Sequence, residues 1–379
     1  MTDDRTIVND SPATADKTTA ADSKRTLLGM TLAELRNVCA EMGLPAYAAR
    51  QLMDWIYTKR VASFDAMTNL SQAARARLSA AYSVGITPPV EAVRSVDGTV
   101  KYLFAVKGRR PAEESGRPAK TVASSFVEAV YIPDGERATL CISSQVGCRM
   151  HCQFCMTGRQ GWHGNLTAGE ILNQVLALPE CGTLTNLVLM GMGEPMDNLD
   201  EVLKALALMT GQDGMAWSPR RITVSTVGVK GTLERYIRET ECHLAISLHA
   251  SSPEVRSSLM PAERLWPMTE MLDLLRRYDW SGQRRLSFEY ILFHGVNDSP
   301  ADARRLVRLL EGLHCRVNLI RFHRIPDADL DGVAMDEMTA FRDYLTQRGV
   351  FTTIRASRGE DVMAACGMLS TARMKKIED

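Results

Sequence analysis

The sequence lacks several features that would assign it to large classes of protein. It has no stretch of about 18 uninterrupted apolar residues, so we expect neither a membrane-spanning helix nor a membrane partner. Its first residues are polar and lack the apolar segment of a secretion signal, which predicts a cytoplasmic protein with a disordered tail over residues 1–27. Its formal net charge is zero, which argues against a globally basic nucleic-acid coat and allows only a local basic patch.

The chain is long enough for two domains, or for one large α/β barrel with an added module. Residues 28–86 show apolar residues at helical spacing and predict a small all-α module, in which Thr31 caps a helix with Glu34 three positions on. Residues 87–136 predict a β-rich connector, where VKYLFAV and SSFVEAVYIP flank a loop rich in Gly, Pro and charge.

The remaining residues, 137–379, alternate short apolar runs with helical stretches. The runs are ATLCISS, TNLVLMG, RRITVST, HLAISLH, RLSFEYILF and RVNLIRF. Six such units predict an α/β fold, a partial or closed (β/α)6-type barrel with a parallel sheet and right-handed crossovers. Unusual sequences such as GMGEP, STVG and SLHA follow the strands, so we expect them on the rim where barrel enzymes carry their chemistry.

Three of the nine cysteines form a C-x3-C-x2-C loop: Cys148, Cys152 and Cys155. Without a secretion signal, clustered cysteines indicate metal or redox chemistry rather than structural disulfides. Three thiolates can hold three irons of a [4Fe–4S] cluster and leave the fourth iron open. A structural zinc site closed by His151 is an alternative, as is an inert core of thiols, although adjacent side chains such as His151 and Cys152 do not easily converge on one metal.

This loop, with Phe154 before its third cysteine and GMGEP after the second strand, resembles the radical S-adenosylmethionine (SAM) superfamily. The segment CISSQVGC, which contains Cys141, and the segment RGEDVMAACG, which contains Cys366, resemble its adenine-methylating RlmN and Cfr branch. The likeness runs from about Leu28 to the end of the sequence and includes the helical module.

The resemblance implies a radical SAM barrel that carries a [4Fe–4S] cluster on the three cysteines and uses two SAM molecules per turnover. One further set of residues matches positions that contact SAM in the family: Gly193, Glu194, Ser225, Ser247, Leu248, His249 and His323. The segment NLIRFHRIP departs from the family pattern, since His323 stands where an Asn is usual and Arg321 replaces an apolar or Pro-type neighbour. A histidine can still donate a hydrogen bond there.

The resemblance also implies roles for three catalytic residues. Adenine C2 and C8 are electron-poor carbons that ordinary methyl transfer does not reach. In the family scheme Cys366 first takes a methyl group from one SAM, and a radical from the second SAM activates that methyl for addition to the base. Cys141 then resolves the protein–RNA adduct and leaves a disulfide with Cys366, and Glu128 accepts a proton. The implied partners are rRNA or tRNA and an electron donor such as flavodoxin or ferredoxin.

RNA contacts are expected at a local basic segment, since residues 96–120 hold six basic and three acidic side chains. The candidates are the loop from Lys107 to Lys120, the pair Arg220–Arg221 and the helical module; other arginine pairs are expected mainly on solvated helix faces. Two alternatives stay open: a radical SAM enzyme acting on a small molecule, and a non-catalytic zinc-bound RNA-binding protein.

Overall fold

The computed structural model describes residues 24–108, 125–325, 328–356, 358–362 and 367–370. Three predicted features therefore lie outside the described residues: the tail up to residue 23, the basic loop beyond Gly108, and Cys366. The helices and strands below refer to the described residues.

The N-terminal module is helical, with α1 capped as the sequence predicts. Thr31 and Glu34 bond each other's backbone N–H groups in a capping box. The module also contains a short parallel strand pair, so it is not entirely α-helical, and its first strand lies inside the segment predicted as tail. Its elements are β1 (Arg25–Thr26), α1 (Leu32–Glu41), α2 (Ala48–Met53), α3 (Gln72–Ala81) and β2 (Tyr82–Ser83).

Ten strands of the described chain form one sheet in the order β14-β13-β12-β11-β10-β9-β6-β5-β4-β3. Three antiparallel strands from the predicted β-rich connector form one edge: β3 (Glu91–Arg94), β4 (Val100–Val106) and β5 (Ser125–Asp134). The parallel strands are β6 (Arg137–Cys141), β9 (Asn186–Leu189), β10 (Ile222–Thr226), β11 (His243–Ser247), β12 (Leu286–Leu292), β13 (Arg316–Arg321) and β14 (Phe351–Ile354). A hairpin of β7 (Gln145–Gly147) and β8 (Trp162–Asn165) stands apart.

The helices follow the parallel strands as a (β/α) barrel requires, which confirms the predicted fold class in its partial form. They are α4 (Met156–Arg159), α5 (Ala168–Leu176), α6 (Leu199–Thr210), α7 (Thr232–Glu239), α8 (Pro253–Leu259), α9 (Met268–Leu275), α10 (Pro300–Leu309) and α11 (Met335–Gln347). The six predicted strands are present. β14 is a seventh that the prediction missed, because its sequence, FTTI, is short and half polar.

Alternation along the strands separates a core face from an inner face. The core face packs against the helices through Ala138, Leu140, Leu187, Leu189, Ile222, Val224, Leu244, Ile246, Leu286, Phe288, Tyr290, Val317 and Leu319. The inner face carries the alternate residues, most of them polar: Arg137, Thr139, Cys141, Asn186, Thr223, Ser225, His243, Ser247, Arg285, Ser287, Glu289, Arg316, Asn318, Phe351 and Thr353. Its aliphatic members are Val188, Ala245, Ile291 and Ile320.

The inner face lines a lumen because the sheet curls. Arg355, just after β14, places Nη1 3.5 Å from Sδ of Met190, just after β9. These strands are five positions apart, which in a flat sheet would separate them by roughly 24 Å. Within the described residues, no helix has the length and apolar character needed to cross a membrane.

Candidate active site

The GMGEP loop after β9 is fastened to the chain leaving β6. The Met192 N–H donates to Oγ of Ser143 at 2.9 Å, and the Glu194 N–H donates to Oε1 of Gln145 at 2.8 Å. The Ser144 N–H donates in turn to the Met192 carbonyl. Two loops that the sequence placed on one rim are therefore joined by direct hydrogen bonds.

Gly193 is required at its position by two independent features. Its φ of +99° lies in the left-handed region, and an added Cβ would come within 2.5 Å of the Cβ of Gln145. Gly191 is equally confined, since an added Cβ would stand 2.6 Å from the Ile142 carbonyl oxygen. The glycines let the loop lie directly on the end of the first barrel strand.

The carboxylate of Glu194 is buried and held by backbone donors. It accepts from the N–H of Met196 at 3.0 Å and from that of Val227 at 2.9 Å. Burial raises the pKa of Glu194 to about 7, against the lowering effect of these hydrogen bonds and of Thr226. A cation beside the carboxylate would offset the free-energy cost of burying its negative charge, so the site fits the ammonium group of SAM.

The three cysteines of the loop after β7 lie close together in apolar surroundings. Cys148 and Cys152 are buried, and Cys155 is partly buried and begins α4. Burial raises the pKa of Cys148 and of Cys152, and the negative charges of Glu194 and of the neighbouring thiolates raise both further. Three thiolates so placed need positive charge between them, which iron supplies in a [4Fe–4S] cluster.

Residues around the loop exclude water on one side. Phe154 packs against the ring of His249 at 4.9 Å and against Phe293 at 5.5 Å. Among the described residues, no group of three or more His, Cys, Asp or Glu side chains converges on a single-ion site. A cubane cluster requires a different arrangement from a single-ion site, since each of its three thiolates binds a separate iron.

The predicted SAM-contacting residues on β10 and β11 are neighbours. The hydroxyls of Ser225 and Ser247 are 3.4 Å apart on the inner face. Leu248 is buried in the core; its N–H donates to the Glu289 carbonyl and its own carbonyl accepts from Arg256.

His249 has a positive φ of 53° and is buried. Burial, with a smaller effect from the charge of Arg256, lowers the pKa of His249 to about 3, so the ring is neutral at pH 7. Nδ1 accepts from the Ile291 N–H at 3.1 Å. The ring proton is therefore on Nε2, which is a donor.

Glu128, on β5, is buried and engaged by three donors. Its carboxylate lies 3.2 Å from Nζ of Lys101, a buried lysine on β4. It also accepts from the N–H of Gly367 at 3.1 Å and from that of Ser370 at 2.8 Å. Gly367 is the residue that follows Cys366 in the sequence, so Glu128 fastens the segment after that cysteine to the sheet.

Cys141 ends β6 on the inner face and is buried. No disulfide joins any two of the eight cysteines that the structure describes. The predicted pairing with Cys366 involves a residue outside them and stays a prediction. His323 lies two residues beyond β13 and is partly exposed, next to Phe322, whose ring packs on Phe293 at 5.0 Å.

Arg256 is a residue of this rim that the sequence did not single out. Its buried guanidinium donates to the carbonyls of Val227, Ser247 and Leu248, which ties the STVG loop to the SLHA loop. It also pairs with the buried carboxylate of Glu263. Nothing in the local sequence marks it, because its partners lie up to 29 residues away.

A second such residue is Glu289, a buried carboxylate on the inner face of β12. It accepts from Nδ2 of Asn318 at 2.8 Å and forms an ion pair with Arg355 at 3.3 Å. In the register of the sheet it is opposite Ser247. A carboxylate inside an apparently regular strand gives no sequence signal of its own.

Comparison with known proteins agrees with this arrangement. Residues 25–84 match the family model "Ribosomal RNA large subunit methyltransferase N-terminal domain", and residues 142–307 match the radical SAM superfamily. The chain is 60% identical over 353 residues to a probable dual-specificity RNA methyltransferase RlmN of Bacteroides fragilis (strain YCH46), covering 93% of this chain and 98% of the relative. This chain belongs to the RlmN family.

More distant members show the same extent of similarity. The dual-specificity RNA methyltransferase RlmN of Syntrophus aciditrophicus (strain SB) is 41% identical, covering 90% of this chain and 95% of the relative. A crystal structure of a radical SAM methyltransferase from Sphaerobacter thermophilus superposes with a TM-score of 0.81 at 41% identity, covering 90% of this chain and 98% of that one. The predicted family is confirmed. The chain is a radical SAM RNA methyltransferase of the RlmN type, and its cofactors are a [4Fe–4S] cluster and SAM.

Proposed function

We propose that this chain methylates a ring carbon of adenine, C2 in preference to C8, in rRNA, in tRNA or in both, in the cytoplasm. One observation carries the proposal furthest: Glu128 holds the backbone of Gly367 and Ser370 beside the strand that ends at Cys141. The proposed reaction uses Cys141 and Cys366, which are far apart in sequence, so it requires a contact that holds these two parts of the chain together. The rRNA substrate is supported by the family model over residues 25–84.

When bound, the cluster on Cys148, Cys152 and Cys155 and the SAM beside it supply the methyl group and the one-electron chemistry that activates it. The chain's own residues position these groups. Glu194 receives the ammonium of SAM, with Gly193 allowing the backbone to approach, and neutral His249 offers its Nε2–H. Ser225, Ser247, Leu248 and His323 complete the predicted SAM-binding set.

Cys366 carries the methyl group to the base, and Cys141 resolves the adduct between protein and RNA. The inner-face position of Cys141 gives it access to a base bound in the lumen. Glu128 is the proposed proton acceptor, and its present hydrogen bonds add a condition. A carboxylate has about four acceptor positions; Lys101, Gly367 and Ser370 take three of them, so the proton must arrive at the position that is left.

The base must leave its stack to reach these residues, since chemistry on a base ring requires an unpaired or flipped nucleotide. An electron donor such as flavodoxin or ferredoxin is proposed to reduce the cluster. We assign no residue to its docking.

The test is anaerobic reconstitution with iron and sulfide, followed by SAM, a reductant and RNA from cells that lack the gene. Mass spectrometry of the digested nucleosides is expected to show a methyladenosine that carries label from SAM. Chromatography against standards separates C2 from C8, and separate rRNA and tRNA fractions identify the substrate. Cys366→Ala is expected to abolish the product, whereas Cys315→Ala, a cysteine at the far end of the sheet, is expected to retain it. Product formation by Cys366→Ala contradicts the proposal.

A further inference from the structure

The segment of residues 367–370, which we call the docked segment, contacts the end of the cysteine loop directly. Nε2 of Gln160 donates to the Gly367 carbonyl at 2.7 Å and lies 3.2 Å from Oγ of Ser370. Gln160 comes directly after α4, the short helix that begins at Cys155. The docked segment itself begins at the residue after the proposed methyl carrier.

The backbone of the docked segment also lies against α4. A Cβ added to Gly367 would stand 2.8 Å from the hydroxyl oxygen of Thr157 and 2.9 Å from its backbone nitrogen. Thr157 is buried and lies two residues beyond Cys155. A residue without a side chain is therefore needed for the two backbones to approach this closely.

Two further elements hold the docked segment from its other sides. Leu369 packs with Leu103 of β4 and Phe126 of β5 in a small apolar cluster. Ser370 is fully buried, and its hydroxyl lies 3.6 Å from Sδ of Met192 in the GMGEP loop. The docked segment is thus enclosed by the sheet, the GMGEP loop and the end of the cysteine loop.

Gln160 is itself held by the cysteine loop. The carbonyl of Gly161 accepts from the Cys148 N–H at 2.9 Å, and one turn of helix connects Gln160 to Cys155 on its other side. The Gln160 carbonyl lies 3.0 Å from Nε2 of His163, which must be the donor because a carbonyl only accepts. The position of Gln160 therefore depends on how the first and last cysteines of the loop are held.

We propose that Gln160 is a positioning residue for Cys366: it holds the docked segment against the cysteine loop and thereby links the placement of Cys366 to cluster binding. This inference rests on the proposed function, in which Cys366 carries the methyl group, and adds the residue that places the carrier. The link is reciprocal, since a ligand that fixes the loop stabilises the docked segment and the docked segment stabilises the loop.

A contact on the other side of Cys366 provides a control. Asp361 accepts from Oγ of Ser95 at 2.5 Å and from the N–H of Val96 at 3.1 Å, both in the turn between β3 and β4. Asp361→Ala therefore loosens the same part of the chain and leaves the side chain of Gln160 unchanged.

Hydrogen exchange of the full-length protein without SAM, before and after reconstitution with iron and sulfide, tests the link. In the wild type we expect reconstitution to slow exchange at Gly367 and Ser370 by about tenfold, the effect of one or two hydrogen bonds. Gln160→Met is expected to lose this dependence on the cluster, whereas Asp361→Ala keeps it. Gln160→Glu, which retains the size and replaces the donor with an acceptor, is expected to behave as Gln160→Met does.

Iron and sulfide analysis establishes that each variant is loaded. A wild-type exchange rate that does not respond to the cluster overturns the inference. A cluster effect as large in Gln160→Met and Gln160→Glu as in the wild type also overturns it.

Steady-state kinetics separate positioning of the carrier from a general structural role. Gln160→Met is expected to lower kcat for methyladenosine at least about tenfold, because a small misplacement of a reacting group has an effect of this size, and to leave KM for SAM and for RNA within about twofold. Gln160→Lys keeps a donor of similar reach and is expected to regain most of the lost kcat. A raised KM for SAM with kcat unchanged contradicts the positioning role.

Two outcomes separate this inference from the proposed function. A wild-type protein whose docked segment responds to the cluster through Gln160, but which forms no methyladenosine, refutes the proposed function and leaves the link standing. A wild-type protein that methylates adenine, with exchange and kcat unaltered in Gln160→Met, overturns the link alone.

Discussion

Arg256 and Glu263 form a buried ion pair, 2.5 Å between Nη1 and Oε2, and each partner is also hydrogen-bonded to backbone groups. The arginine fastens the carbonyls of Val227 and Ser247, and the carboxylate accepts from the Met268 N–H. This pair therefore sets the separation of the two loops that carry the predicted SAM contacts.

Removing one partner of this pair is expected to destabilise the protein strongly. Arg256→Met leaves the Glu263 carboxylate buried without its cation, and we expect a loss of about 3–5 kcal/mol in the free energy of unfolding. Urea denaturation measures this value. The double variant Arg256→Met, Glu263→Leu is expected to regain part of the loss, because it removes both charges. A double variant no more stable than Arg256→Met contradicts the explanation.

Gly193→Ala is expected to weaken SAM binding by at least tenfold. The new Cβ meets Gln145 and displaces the GMGEP loop from the end of β6. Gly231→Ala is the matched control, since Gly231 has a similar φ of +86° but open space around an added Cβ. Both variants carry backbone strain of about 1 kcal/mol or more. Isothermal titration with SAM is expected to separate them, and equal losses would assign the effect to strain alone.

Acid is expected to destabilise the protein through its two buried neutral histidines. Burial, with smaller effects from nearby arginines, lowers the pKa of His243 to about 4, and the pKa of His249 is about 3. Below the ordinary histidine pKa of about 6.5, the two side chains bind protons in the unfolded chain but stay neutral in the folded chain. The free energy of unfolding therefore has its full value above pH 6.5 and decreases as the pH falls below it.

For His243 the loss is about 2 kcal/mol at pH 5, since each pH unit below 6.5 costs about 1.4 kcal/mol. Urea midpoints at pH 7 and pH 5 measure it. His243→Gln keeps an acceptor for the Arg285 N–H without the titration, and is expected to lose about 2 kcal/mol less over that interval. If the stability of His243→Gln depends on pH as that of the wild type does, His243 is ruled out as the origin of the loss.

The hydrogen bonds of Glu128 predict amide protection near the end of the chain. Hydrogen exchange of the protein without SAM is expected to show slow exchange at Gly367 and Ser370, whose N–H groups donate to the carboxylate. Glu128→Ala is expected to speed exchange there by tenfold or more, consistent with the loss of hydrogen bonds to a charged acceptor. Glu136→Ala, an exposed glutamate nearby in the sequence, is the control. Protection that survives in Glu128→Ala refutes the anchoring role.

Iron content tests the cysteine loop directly. After reconstitution the wild-type protein is expected to bind about four irons and four sulfides per chain, and Cys152→Ser to lose most of both. Cys181→Ser alters a buried cysteine in the core and is expected to keep the full complement. Zinc in place of iron and sulfide would favour a structural metal site.

Much of the fold was predictable because its signals are local. Thr31 and Glu34 mark a helix start three residues apart, and the apolar runs of β6 to β13 alternate with amphipathic helices. β14 was missed because half of its four residues are threonine. The strand pair of β1 and β2 was missed because two residues carry too little pattern.

The candidate site was predictable only where a motif carries it. The cysteine loop and GMGEP are recognisable in the sequence as motifs. Arg256, Glu289 and Lys101 are not, because each acts on groups that only folding brings near.

The contact between Glu128 and Gly367 spans 239 residues, which has a consequence for the order of events during synthesis. At roughly 5–20 residues per second a ribosome needs about 10 to 50 s to make that stretch. Through this interval the carboxylate lacks the N–H groups of Gly367 and Ser370, which are synthesised last. We therefore expect the segment around Gly367, next to the proposed methyl carrier Cys366, to join the sheet only after the strands of the barrel have been synthesised.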